Sequence, residues 1–134
     1  MAHVNSTTAN IQKPTQVKSA IFLLYVYAVI GILIDSTLSI LREGFSIGSL
    51  VLATTFFLVN VFLVFMISRG KTWPRNLLLF FLLFGLCSIL YYLPNVKAGF
   101  RYQFIIMGIK FALGVIPIIV LYLKPAKQWF ETFR

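Results

Sequence analysis

Four stretches of this chain, about residues 19–41, 46–67, 74–93 and 101–123, are apolar for almost their whole length. Each reaches the ~20 residues that an α-helix needs to cross the ~30 Å hydrocarbon core of a bilayer. A soluble domain of 134 residues has no interior large enough to hide four such runs. Lipid covers them at little cost, and each helix satisfies its own backbone polar groups. Composition agrees: the chain is 60% hydrophobic and 11% charged, with mean hydropathy +0.92, whereas soluble domains carry about 25% charged residues.

The breaks between runs are short. Arg42, Glu43 and Gly44 end the first, and Ser68 to Lys71 end the second. Trp73 and Pro74 open the third, where proline suits a first turn because its missing N–H would be unpaired there anyway. Pro94 and Asn95 close it, and Lys124, Pro125 and Lys127 close the fourth. Short connections make consecutive helices antiparallel neighbours, so the expected fold is an all-α, up-down-up-down four-helix membrane bundle. Residues 1–17 are polar and read as a flexible tail, and residues 18–134 as the membrane domain with a short interfacial end carrying Trp129, Phe130 and Phe133. The first run is too long for the apolar region of a secretory signal, and no small-residue cleavage site follows it. No internal repeat is visible.

The basic residues give the expected orientation. Lys13, Lys18, Arg69, Lys71, Arg75, Lys124, Lys127 and Arg134 fall on one side, against Arg42, Lys97 and Arg101 on the other. Lysine and arginine favour the cytoplasmic face, so both termini are placed there. Lys18, Arg69, Lys71, Trp73, Arg75, Lys124, Lys127 and Trp129 are then the candidate anchors to anionic lipid headgroups on the cytoplasmic side. The net charge of +9 flanks hydrophobic runs and forms no single patch, which argues against a nucleic-acid partner.

Only Asp35 and Lys110 place charge deep inside the runs. At a rise of ~1.5 Å per residue, both lie roughly 10–14 Å from the same, less basic end. A lone charge at such depth costs about 2.5–3.5 kcal/mol, which pairing would offset. Ala28, Gly31, Asp35 and Ser39 share one stripe of the first helix; Gln103, Met107, Lys110, Gly114 and Pro117 share one of the fourth. Thr54 or Thr55 and Ser88 reach the same depth, so a polar layer of Asp35, Lys110, Thr54, Thr55 and Ser88 is expected. Such a pair either fixes helix register or forms a proton or substrate site. Asn60 is expected to bond across to another helix or to a partner, Pro117 to kink the fourth helix, and Gly108 with Ala112 to offer a second contact face, such as a homodimer's.

Little else carries chemistry. Cys87 is a lone thiol in an apolar run and reads as a small hydrophobe. His3 is the sole histidine and stands in the tail, so neither a metal cluster nor a catalytic triad can be assembled around it. No glycine-rich phosphate loop is present. No catalytic residue, metal or cofactor is therefore expected.

The segment from Ile67 to Asn76, with its Arg69-Gly70-Lys71-Thr72-Trp73-Pro74-Arg75 core, resembles the basic R-G-(K/R)-x-W-x-R loop of small four-helix proteins of the bacterial inner membrane. The basic-aromatic cap Lys124 to Phe130 resembles theirs too. Proline at position 74 departs from their usual alanine. The resemblance covers the second half of the chain and implies topology and an inner-membrane location; it implies no activity. Small multidrug resistance transporters, of similar size, carry a glutamate early in the first helix, whereas Asp35 lies late in it. The leading expectation is a non-catalytic inner-membrane protein that binds or modulates a membrane-protein partner or associates with itself. The alternative is an oligomeric small-molecule or proton-coupled carrier using Asp35 and Lys110.

Overall fold

The computed structural model describes residues 12–95 and 101–132. Among them are five α-helices: α1 (Thr15–Glu43), α2 (Ile47–Ser68), α3 (Trp73–Tyr92), α4 (Arg101–Tyr122) and α5 (Lys124–Glu131), with a 3₁₀ turn at Leu93–Asn95. The first four are long and apolar enough to cross a membrane. The expectations at His3, Lys97, Phe133 and Arg134, and most of the tail, lie outside the described residues.

Local chemistry sets the helix ends. α1 starts at Thr15, four residues before the start of the apolar run, because the Pro14 carbonyl accepts the Val17 and Lys18 N–H groups at 3.0 and 3.1 Å. Val17 is fully buried, so packing holds this first turn in place. At the other end Gly44 turns to φ +79, a conformation that L side chains rarely adopt, and α2 begins three residues later. The glycine of the basic loop has the same role. Gly70 takes φ +81, its N–H donates to the Ile67 carbonyl at 2.9 Å, and the Lys71 N–H donates to Met66 at 3.2 Å. These are the paired bonds of a Schellman stop, which satisfy carbonyls that the helix leaves open.

The core gathers at the basic end. Val17, Ala20, Ile21 and Leu24 of α1 meet Leu63, Val64 and Ile67 of α2, Leu78 of α3, and Ile118 and Leu121 of α4. α1 packs most extensively against α2 and α4; α3 makes fewer contacts with both. Towards the other end buried side chains are few, chiefly Leu38 and Gln103. Most large apolar side chains of the four long helices, such as Phe22, Phe62, Phe80 and Ile119, are exposed, as suits helices apolar enough to cross a membrane.

The end of the chain differs from expectation. Residues read as an interfacial tail form α5, and its Ala126, Trp129 and Phe130 complete the core. The helix breaks between α4 and α5 at extended Leu123, just before Lys124 and Pro125. Pro125 has no N–H to give the Leu121 carbonyl four residues earlier. Arg75, in the first turn of α3, supplies the missing donor: its Nη1 reaches that carbonyl at 3.1 Å. Its guanidinium also lies 4.2 Å from the Tyr122 ring centroid and 5.0 Å from that of Phe130.

Candidate functional site: an ion pair between two candidate membrane helices

Asp35 and Lys110 meet. The Lys110 ammonium donates to both Asp35 carboxylate oxygens at 2.6 Å, tying α1 to α4. Charge-assisted bonds of this kind are among the strongest a side chain makes. Two glycines make the approach possible. A Cβ on Gly31, one turn before Asp35, would lie 3.3 Å from Lys110 Cε, so the bare backbone lets the lysine stem cross α1. A Cβ on Gly114, one turn after Lys110, would fall 2.9 Å from the Tyr27 ring. Each helix thus gives up a side chain where the other inserts one. The lysine side chain is 20% exposed and the aspartate 45%, so the carboxylate opens onto a cavity.

The other residues of the expected layer are arranged differently. Thr54 and Thr55 are exposed, and Thr55 Oγ1 donates to the Val51 carbonyl of its own helix at 2.8 Å. The α2 face beside the pair is instead Ala53, Phe56, Phe57 and Asn60, an i, i+3, i+4, i+7 stripe. Depth alone was read for the threonines; the ~100° turn per residue points them away from the pair. Asn60 lines the recess with Asp35 and Lys110, and its amide donates to the Phe56 carbonyl of its own helix at 2.8 Å, not across to a neighbour. Ser88 Oγ likewise donates within α3, to Phe84 at 2.9 Å, but Ser88 does line a cavity together with Lys110. Pro117 is buried within an unbroken α4, while Gly108 and Ala112 face outward and a Cβ on Gly108 would meet nothing within 4 Å. Cys87 is exposed.

Two cavities flank the pair. One, of about 290 Å³, is lined by Leu24, Asp35, Phe56 and Asn60 among others. A larger one, of about 380 Å³, runs between α3 and α4 towards the less basic end and is lined by Arg42, Gly85, Ser88 and Phe104 among others. Tyr27 and Lys110 line both. Tyr27 was missed in the sequence, although it stands one turn before Gly31 and two before Asp35 on the same stripe. Arg42 was read only as a flanking charge. Its Nη2 donates to Gln103 Oε1 at 3.0 Å, and Gln103, 3% exposed, donates in turn to the Tyr102 hydroxyl at 3.4 Å. The signal was present: Gln103 lies two turns before Lys110 on the stripe that meets α1.

At the basic end Lys13 Nζ donates to the Ser68 carbonyl at 2.7 Å and stands 5.3 Å over the Trp129 ring. Burial, and then the charge of Lys18, push its pKa below the ordinary 10.5. Lys18, Arg69, Lys71, Lys124 and Lys127 are exposed, as is Trp73. Arg75 and Trp129 are not free to reach headgroups: the first is bound to α4 and the second, 5% exposed, sits in the core. The reason is α5, which folds these aromatic and basic groups onto the bundle.

No protein-family model matches this chain, and neither a curated protein nor a solved structure matches it.

Proposed function

We propose that this chain is a non-catalytic, multi-pass protein of the bacterial inner membrane that acts by binding another membrane protein or a second copy of itself. In this reading the four long helices run up-down-up-down with both termini in the cytoplasm, and the exposed lysines of the basic end rest against anionic headgroups. The observation that carries it is the closed ion pair, in which one ammonium serves both oxygens of the only deep carboxylate among the described residues. A pair satisfied in this way serves as a tie between helices, setting register and partner choice. The loosely packed α3 and the outward Gly108 and Ala112 of α4 are the surfaces left for a partner.

Photo-crosslinkers placed at Phe84 and Ala112 in native membranes, read by mass spectrometry, test this. A discrete adduct with a second copy or with one other membrane protein is expected. Adducts with lipid alone at both positions overturn the reading.

A carrier is the second reading, favoured by one observation: the cavities on either side of Lys110 and Tyr27 leave the Asp35 carboxylate open to one of them. An acid in that position can exchange its lysine partner for a proton or a cationic solute.

A further inference from the structure

The cavity between α3 and α4 has a chemistry of its own. Its wall is apolar, built from Phe81, Leu82, Phe104, Met107 and Phe111. Of the cations lining it, Lys110 is matched by Asp35, whereas the bond that Arg42 makes is to neutral Gln103. The lining residues therefore carry net positive charge, on Arg42 in the last turn of α1. Gly85 stands in the wall, and a Cβ built there would meet nothing within 4 Å. A volume of about 380 Å³ falls within the ~300–1,000 Å³ range of small-molecule sites.

We infer that this cavity holds one acyl chain of an anionic glycerophospholipid, with the phosphate group against Arg42. The charge of Arg42 and the aromatic and aliphatic groups of the same lining match the two halves of such a lipid. Arg42 has donors to spare beyond the one given to Gln103, and guanidinium groups favour phosphate oxygens. A bilayer also presents this ligand from the side, at the level where the cavity lies. The cavity shares α3 and α4 with the partner surface proposed above but is lined by other residues than Phe84, Gly108 and Ala112, so lipid binding and crosslinking are read apart and either can fail without the other.

Native mass spectrometry of the full chain in detergent, titrated with phosphatidylglycerol and with phosphatidylcholine of the same acyl chains, tests the inference. The expected result is a preference of about fivefold for phosphatidylglycerol, the factor that one basic residue contributes near a lipid surface. Arg42→Gln should abolish the preference while phosphatidylcholine binding persists. Gly85→Leu, which grows into open space, should reduce binding of both lipids several-fold. Thermal unfolding without added lipid checks that both variants are folded. Equal binding of the two lipids by the wild-type chain, or a Gly85→Leu protein that binds like wild type, would mean annular lipid only and overturns the site.

Discussion

Asp35 and Lys110 each make sense only in the presence of the other. Removing one partner leaves a charge in surroundings that solvate it poorly, at a cost of a few kcal/mol, whereas removing both leaves none. Asp35→Asn and Lys110→Met should each lower stability by about 1–3 kcal/mol in bicelle unfolding, towards the smaller figure because the carboxylate opens onto a cavity, and the double variant should recover most of it. If the pair serves transport, the double variant folds but loses solute flux in proteoliposomes. If neither single change moves stability or flux, the tie has no energetic role. The pair was legible in the sequence because charge is scarce in lipid-facing segments and helical rise converts position to depth. Its α2 neighbours were not. α2 is apolar on every side, so its composition does not reveal which face turns inward, and the threonines that matched in depth missed in azimuth.

Among the elements, the four long helices follow from hydropathy and length, since a bilayer admits few alternatives for such segments. Their ends follow from proline and glycine chemistry that single residues announce, as Gly44 and Gly70 do. α5 was harder to read. Eight residues with Lys, Trp and Phe look the same whether the aromatics face headgroups or a protein core, and only the neighbours decide. Here they are buried, which makes a specific claim. Phe130→Ala should cost about 3–5 kcal/mol, the range for a large aromatic lost from a packed core. The expected signs are a lower unfolding temperature and a C-terminal segment newly open to protease. A variant as stable and as resistant as wild type would show that α5 rests on the surface.

At the scale of the whole molecule, charge and packing are polarised together. The exposed lysines and the dense core share one end, while the larger cavity of the two beside the ion pair, Arg42 and Gln103 lie towards the other. The proposed orientation predicts labelling. In a Cys87→Ser background, Ser46→Cys should react with an impermeant maleimide in intact cells, and Lys127→Cys only after permeabilisation; the reverse pattern would invert the topology. One feature of the basic end also bears on how the protein is made. Because Pro125 cannot answer the Leu121 carbonyl and α3 does so through Arg75, α5 begins where α3 and α4 are tied together. A nascent chain carrying only the four long helices has its aromatic lid still to come. Translation therefore delivers Trp129 and Phe130 after every other residue of that core, and its base lacks them until they emerge.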